Sequence, residues 1–336
     1  SAATSGTITI TKGSLELNNA LMADSRQLLW GFIRTLDRSP ITVVNSTFAN
    51  ATSNYSAAIR AGGTTIVRNS KFINLESLIT AGAIGVKEID ECIIDNCTFV
   101  NIASDKNGGA IFADVQGFEH SPYGDVLINR SSFINCSSGF GGAILHLGGN
   151  LTIANSNFTD NYAVFDGGAL YITNSNVTIR NSLFNNNSAL YPESRGSFGG
   201  AIFFDLGTLN LLDSNFTLNS AQNGSAVYLY DSNYTIDGCV FDENVNFNGR
   251  FDDIYTVFDK DVTVLGDNKY SGDDSKSLNN TFYATIVAGE GIPLTFIDNT
   301  IEVTTLPPKF DLRDWGWVTS VKDQGRMGSC WSFGGS

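Results

Sequence analysis

The stretch GGAILHLGGNLTIANSNFTDNYAVFDGGAL, residues 141–170, contains one complete unit of a repeat and decides how the chain folds. It opens on Gly-Gly-Ala-Ile and closes on Gly-Gly-Ala-Leu. Between them lies LTIANSNF, in which apolar and polar residues alternate and Ser156 stands two positions before Phe158. Alternation with a period of two is typical of a strand with one buried face. The unit therefore predicts short strands separated by tight turns.

The same unit recurs along most of the chain. Each copy has a Phe with Ser or Cys two positions before it and an Asn two or three positions after it. The repeat phenylalanines are Phe48, Phe72, Phe99, Phe133, Phe158, Phe184, Phe216 and Phe241. Such a period indicates a solenoid or a propeller, and about 25 residues with about three short strands fit a solenoid turn better than a blade of about 40. The predicted fold is all-β: a right-handed parallel β-helix, similar to the pectate-lyase solenoid.

The residue types of the repeat suit this fold. Phe and the Ser or Cys two positions before it point the same way along a strand, so both should lie in columns inside the solenoid. Asn tolerates left-handed corners and the paired glycines allow a tight turn. Cys97 and Cys239 share the register of the repeat serines and are interpreted as small buried residues. Two longer turns place insertions near residues 115–125 and 190–196, at different corners.

The charge and cysteine content of the chain limit the classes of ligand that it is expected to bind. The net charge of −14 and the pI near 4.4 argue against nucleic acid, because phosphate binding needs basic patches. There are five cysteines, an odd number, and no Cys/His cluster has zinc-ligand spacing. We therefore expect no metal and no cofactor. No apolar run is long enough to form a membrane-spanning segment.

Polysaccharide cleavage by the repeats is the weakest interpretation. It would need clustered carboxylates, and the candidates are expected to be solvated turn residues in different registers. They are Asp160, Asp166, Asp205, Asp213 and Asp231. The two histidines also lack a partner in the sequence pattern, with His120 predicted in an exposed insertion and His146 one strand position beyond a Gly-Gly-Ala-Ile unit.

Fourteen Asn-x-Ser/Thr sequons mark possible N-glycosylation of an exported, extracellular or cell-surface glycoprotein. The same residue types are also what β-helix turns require, so the sequons by themselves are a weak signal. Their asparagines are Asn45, Asn50, Asn54, Asn96, Asn129, Asn135, Asn150, Asn157, Asn176, Asn186, Asn215, Asn223, Asn233 and Asn279.

The carboxy-terminal stretch differs from the repeats. LPP at residues 306–308 breaks the strand pattern and marks a boundary. Beyond it, KFDLRDWGWVTSVKDQGRMGSCWSF, residues 309–333, resembles the mature amino terminus of papain-family (C1) cysteine peptidases. Met327 stands where that family has its first signature cysteine, so the disulfide made by that cysteine is not expected here.

The resemblance implies specific roles. Cys330 would be the nucleophile and the Gln324 side chain would donate to the oxyanion, while Trp331 and Gly328 would contact substrate. Ser329 is a potential helix cap, and a thiol at a helix amino terminus is acidified by the helix dipole. A papain-like enzyme carries its catalytic His and Asn far downstream of the nucleophile, and the 336 residues do not contain them. We therefore expect a fragment of a larger protein that does not hydrolyse peptides alone.

The sequence predicts four parts: an amino-terminal cap or early turn over residues 1–40, repeats over 41–261, terminal strands and a linker over 262–306, and the incomplete peptidase start over 307–336. β-Helix repeats joined to a papain-like segment resemble archaeal adhesin-like surface proteins. The leading interpretation is the stalk and first catalytic segment of a cell-surface papain-like peptidase that acts on peptides or proteins. The alternative is an adhesin or a scaffold that binds surface glycans, with a vestigial or self-processing peptidase part.

Overall fold

The computed structural model contains strands and turns, and no helix occurs among the residues that it describes. The described residues are 8–36, 38–115, 124–191, 196–249, 252–257, 263–265, 268–271, 286–288, 295–296 and 300–301. Each strand pairs in parallel with the strand of the next turn. The predicted all-β parallel solenoid is therefore confirmed.

Three strand positions make up each turn, and the first two belong to one continuous sheet. Strands of the first position are β1 (Ile8–Ile10), β4 (Ile33–Thr35), β7 (Ile59–Ala61), β10 (Ile84–Lys87), β13 (Ile111–Asp114), β26 (Ile254–Val257) and β29 (Ile286–Ala288). Strands of the second position are β2 (Leu15–Asn18), β5 (Ile41–Val44), β8 (Thr65–Arg68), β11 (Glu91–Asp95), β14 (Asp125–Asn129), β27 (Thr263–Leu265) and β30 (Thr295–Phe296). Four long strands cover both positions: β16 (Ile144–Ala154), β19 (Leu170–Arg180), β22 (Ile202–Leu212) and β24 (Val227–Asp237).

The third position forms the second sheet. Eight of its strands carry one repeat phenylalanine each. The strands of this sheet are β3 (Leu21–Leu28), β6 (Thr47–Tyr55), β9 (Lys71–Thr80), β12 (Thr98–Ser104), β15 (Ser132–Phe140), β17 (Asn157–Thr159), β18 (Tyr162–Asp166), β20 (Leu183–Asn185), β21 (Ser188–Ala189), β23 (Asn215–Thr217), β25 (Val240–Asp242), β28 (Lys269–Ser271) and β31 (Thr300–Ile301).

The eight repeat phenylalanines form one internal column, as the sequence predicts. All are completely buried, and successive rings lie face to face with centroids 4.6–5.1 Å apart. Parallel pairing at a strand spacing of about 4.8 Å brings each ring to stacking distance of the next. The stack anchors the second sheet along the length of the solenoid.

The repeat serines form a second internal column beside the phenylalanines. Ser156 is typical: its hydroxyl donates to the Ala154 carbonyl at 2.8 Å and accepts the backbone N–H of Ser131 at 3.1 Å. Cys97 occupies this column, where its thiol lies 3.4 Å from the Asp95 carbonyl oxygen, and Cys239 does the same beside Asp237. Each of these side chains gives a hydrogen-bond partner to a backbone carbonyl group at a corner inside the solenoid.

The turns depend on left-handed backbone at three corners. Asn45 and Asn50 have φ near +50°, and residues at the equivalent positions of other turns also have positive φ. Gly141 also has positive φ, and a Cβ there would collide with the Ile144 carbonyl. Its neighbour Gly142 faces the Gly168 carbonyl of the next turn too closely for a side chain. Asn and Gly are the residues that tolerate these conformations at least cost.

The two insertions leave the solenoid at different corners, as predicted from the spacing. One lies between β13 and β14, and the other lies between β21 and β22. Residues 116–123 and 192–195, with His120 among them, lie outside the described residues. Residues 302–336 also lie outside them.

Candidate functional site

The catalytic candidates of the papain-like segment are Cys330 and Gln324, with Trp331 and Gly328 as substrate contacts. All four lie outside the described residues. Their roles therefore stay predictions. The described residues show instead which other groups of the chain are available for chemistry.

His146 is buried in the β-helix and cannot reach a substrate. It stands on β16 in register with Ala113 and Ile172, with its ring inside the solenoid and none of its surface exposed. Burial lowers its pKa to about 3, against a smaller opposing effect of the Gly148 backbone. Neither ring nitrogen has a hydrogen bond of ordinary geometry. This imidazole is a neutral core residue rather than a catalytic base.

The four cysteines of the repeats are free and buried. Burial raises the pKa of Cys92, Cys136 and Cys239 to about 12 and that of Cys97 to about 11. Since the thiolate is the nucleophile, none of these thiols is reactive at neutral pH. Cys330 is the remaining cysteine of the sequence.

For two of the five scattered carboxylates, Asp166 and Asp205, the prediction of a solvated turn was wrong. Asp160, Asp213 and Asp231 have positive φ, as expected for turn residues. Asp166 is buried at the end of β18, where its carboxylate accepts the backbone N–H of Phe198 at 3.1 Å. Asp205 lies within strand β22 and accepts the Thr173 hydroxyl at 3.2 Å. The burial of Asp166 and the strand position of Asp205, each with its hydrogen bond, put these two in structural positions instead of solvated turns.

A shallow groove of about 620 Å³ crosses the outer face of the second strand position. It runs over β11, β14, β16, β19 and β22. Polar side chains dominate its lining, which includes Glu91, Asp125, Asn150, Thr152, Asn176, Thr178, Thr208 and Asn210. Asn150 donates to Asp125 at 2.8 Å, so the groove floor is ordered by side-chain hydrogen bonds across turns. The sequence pattern does not reveal this groove, because its residues come from five separate turns.

The outer surface carries amide ladders that involve the sequons. Asn50, Asn74, Asn101 and Asn135 each donate their side-chain N–H to the preceding turn, at 2.8–3.1 Å. Eight sequon asparagines donate in this way: Asn45, Asn50, Asn96, Asn129, Asn135, Asn150, Asn176 and Asn186. These amides link successive turns of the solenoid.

The remaining sequon asparagines fall into two groups. Asn157 and Asn215 are exposed at the starts of β17 and β23. Asn54, Asn223 and Asn233 are partly buried. Asn279 lies outside the described residues. Whether any of the fourteen is modified stays a prediction.

Metal sites and membrane-spanning helices are two further classes of feature. No group of three or more His, Cys, Asp or Glu side chains is placed to hold a metal ion in the described part of the chain. The same residues contain no helix long and apolar enough to cross a membrane.

Two protein families match the chain. Residues 31–302 match the family described as right handed beta helix region. Residues 306–336 match the papain family of cysteine proteases. The second match contains the quoted Cys330 motif and covers a small part of the chain.

Two proteins from other organisms are similar to part of the chain. Ananain from Ananas comosus is 37% identical over 106 residues, which are 28% of this chain and 26% of ananain. Cysteine proteinase EP-B 1 from Hordeum vulgare is 53% identical over 38 residues, 11% of this chain and 10% of that protein. The chain therefore spans about a quarter of the length of one relative and a tenth of the other.

Proposed function

The chain belongs to the right-handed β-helix family, and from its papain-family match we propose that the complete protein is a papain-like cysteine peptidase carried on a β-helical stalk. The observation that carries the proposal is the segment DQGRMGSCW, residues 323–331, within that match. Cys330 is the nucleophile and Gln324 stabilises the oxyanion. Peptides or proteins are the substrates, and Trp331 and Gly328 lie beside the scissile bond.

The 336 residues alone are inactive in this proposal. A cysteine nucleophile of this type needs an imidazole to take its proton. His146 is enclosed in the β-helix core, and the only other histidine is His120. In the proposal, the imidazole base therefore belongs to the complete protein and is not supplied by the β-helix core.

Covalent labelling of the complete protein tests the peptidase proposal. An epoxide or vinyl-sulfone inhibitor should label Cys330, and Cys330→Ala should abolish both the label and the hydrolysis of a denatured protein substrate. Cys136→Ala is the matched control, because that thiol is buried at the β15 strand, and it should keep full labelling. Peptide hydrolysis that survives Cys330→Ala would remove the proposal.

The proposed location is the outside of the cell. Exposed sequon asparagines on the solenoid support it, Asn157 and Asn215 in particular, since both side chains point into solvent. Labelling of intact cells with an impermeant amine reagent, followed by glycopeptide mass spectrometry, tests both the location and the modification. A protein found only after lysis, with every sequon unmodified, contradicts this part.

A second candidate function is glycan binding by the stalk. The polar groove over β11 to β22 favours it, because amide, hydroxyl and carboxylate groups at regular spacing can bond sugar hydroxyls. Thr178→Tyr should fill the groove and abolish binding to a neutral glycan panel, while Thr159→Tyr on the second sheet should leave it unchanged. Equal binding by both variants would exclude the groove. An adhesin function would then lack its surface.

A further inference from the structure

Two arginines lie side by side near the amino-terminal end of the solenoid. Arg34 on β4 and Arg60 on β7 are partners in the parallel ladder, so both side chains leave the same outer face. Trp30 and Tyr55 lie at the adjoining corner, with their rings stacked at 4.6 Å and an interplanar angle of 17°. The four side chains come from two successive turns.

The aromatic rings hold the guanidinium groups in place. The Arg34 guanidinium lies 4.2 Å from the Trp30 ring centroid. The Arg60 guanidinium lies 5.1 Å from the Trp30 centroid and 5.5 Å from the Tyr55 centroid. Cation–π contacts at these distances attract the cations without using their N–H donors. The N–H donors of both guanidinium groups therefore stay available to an acceptor.

In the described part of the chain, no ion pair to an acidic side chain involves either arginine, although the net charge is −14. Among the described residues, the ion pairs involve Arg38, Lys87 and Arg130, and neither Arg34 nor Arg60 takes part in one. Burial, followed by the charge of Arg34, lowers the pKa of Arg60, while Tyr55 and Asp114 oppose this weakly. Asp114 itself lies 3.8 Å from Lys87. Among the residues that the structure describes, the two adjacent cations therefore have no carboxylate within ion-pair distance.

A buried hydroxyl lies close to Arg60. The next position along the ladder after Arg60 is Gly85, which has no side chain. A Cβ there would meet the Ser56 hydroxyl and would lie 3.7 Å from Nη1 of Arg60. Ser56 is completely buried, and its hydroxyl has no hydrogen-bond partner in the described structure. An unpaired buried hydroxyl is unfavourable unless a ligand or water uses it.

We propose that Arg34, Arg60 and Ser56, on the platform of Trp30 and Tyr55, form a binding site for a carboxylate group. A guanidinium fork matches a carboxylate in two parallel hydrogen bonds. The anion would offset one of the two positive charges and give the Ser56 hydroxyl an acceptor. The carboxylate belongs to a uronic acid of a glycan or to a free carboxylic acid. This inference is independent of the proposed peptidase.

Calorimetric titration of the 336-residue chain tests the site with galacturonate, trigalacturonate, acetate, galactose and sulfate as probes. The carboxylates should bind, and galactose should not. Arg34→Gln or Arg60→Gln should weaken binding at least about tenfold, because hydrogen bonds between two charged groups are among the stronger ones. Arg60→Lys keeps the charge but loses the fork, so it should fall between the wild type and Arg60→Gln.

Arg180→Gln is the matched control, since Arg180 is an exposed arginine near the end of β19. It should bind within about twofold of the wild type, as expected for a surface charge far from the ligand. Saturating galacturonate should also protect Arg34 and Arg60, but not Arg180, from phenylglyoxal. This second measurement needs no substitution and so does not depend on a variant that folds.

Three results would overturn the inference. They are equal binding of galactose and galacturonate, sulfate binding as tight as the carboxylates, and an Arg34→Gln/Arg60→Gln double variant that keeps its affinity and its melting temperature. Trigalacturonate binding more than about tenfold tighter than acetate would identify a glycan as the source of the carboxylate, because only a longer ligand adds contacts outside the pair. Equal binding of the two would identify the isolated carboxylate, and both of these outcomes support the site.

Discussion

The Asn187 side chain donates to Oδ1 of Asn219 in the next turn at 2.9 Å, and both side chains are completely buried. The same Asn187 amide also lies 3.0 Å from the Phe158 carbonyl oxygen. Asn187 Oδ1 accepts the backbone N–H of Asn161 at 3.2 Å. This link repeats along an internal amide ladder of Asn161, Asn187, Asn219 and Asn244. The ladder supplies hydrogen-bond partners to backbone groups that have turned inward at a corner.

Replacement of a ladder asparagine should be costly. We expect Asn187→Leu to lower the free energy of unfolding by about 3–5 kcal/mol, because it leaves several buried donors and acceptors unpaired. Asn186→Gly is the matched control, since Asn186 is exposed and has a φ that Gly adopts freely, and it should cost less than about 1 kcal/mol. Chemical denaturation of the two variants measures both values. A similar small loss in both would mean that water replaces the ladder.

The phenylalanine column makes a separate prediction. Phe158→Ala should cost about 3–5 kcal/mol, because the ring is fully buried between Phe133 and Phe184. Phe247, with 47% of its surface exposed, provides the control, and Phe247→Ala should cost less than about 1 kcal/mol. Thermal and chemical unfolding report the difference. A cost below about 1 kcal/mol at Phe158 would contradict a closely packed column.

His146 should make the solenoid sensitive to acid. Its pKa is lowered from 6.5 to about 3 in the folded chain, so below pH 6.5 the unfolded state binds more protons and stability falls as the pH falls towards 3. His146→Leu removes this contribution. Between pH 7.5 and pH 4.5, the wild type should lose about 2–3 kcal/mol more than the variant. Parallel losses in the two proteins would show that the folded imidazole can be protonated at little cost.

The thiols should separate into two classes. In the folded 336-residue chain, iodoacetamide should leave the buried Cys92, Cys97, Cys136 and Cys239 unlabelled and should alkylate Cys330 slowly, as a free thiol with a pKa of about 8.5. In the complete protein, an imidazole partner should make Cys330 reactive at pH 5–7. Alkylation rates against pH, on the two forms side by side, measure this. Full alkylation of the shorter chain at pH 5 would mean that its own residues activate Cys330.

The sequence predicts those parts of the fold that repeat in every turn. Phe158 and Ser156 could be assigned to internal columns because their spacing recurs and a strand alternates its faces with a period of two. The same reasoning gave Cys97 and Cys239 their places among the serines. Left-handed corners at Asn45 and Asn50 follow from the known tolerance of Asn.

The repeat spacing could not predict features that depend on how the chain changes direction at a corner. Asn186 and Asn187 are neighbours of the same residue type, yet one is exposed and the other is buried, because the chain bends between them. Asp166 looks like a turn residue in sequence, yet it is buried and accepts the backbone N–H of Phe198 from the next turn, a contact that the sequence does not reveal. Arg34 and Arg60 fall on adjacent turns before the pattern becomes regular. The catalytic segment was identified from a resemblance, and Cys330 lies outside the described residues.

Within the described residues, the amide ladder runs in one direction and Asn244 is its last asparagine. Each asparagine side chain donates a hydrogen bond to the asparagine of the next turn towards the carboxy terminus. The last amide therefore needs an acceptor that does not itself donate a further hydrogen bond. Asn244 finds this in Asp253, whose Oδ1 lies 2.8 Å from Nδ2. Asp253 therefore acts as a chain terminator, in the sense that polymer chemistry gives the term. A longer solenoid could be built by inserting asparagine turns before Asp253, whereas turns added after it would have to begin a new ladder.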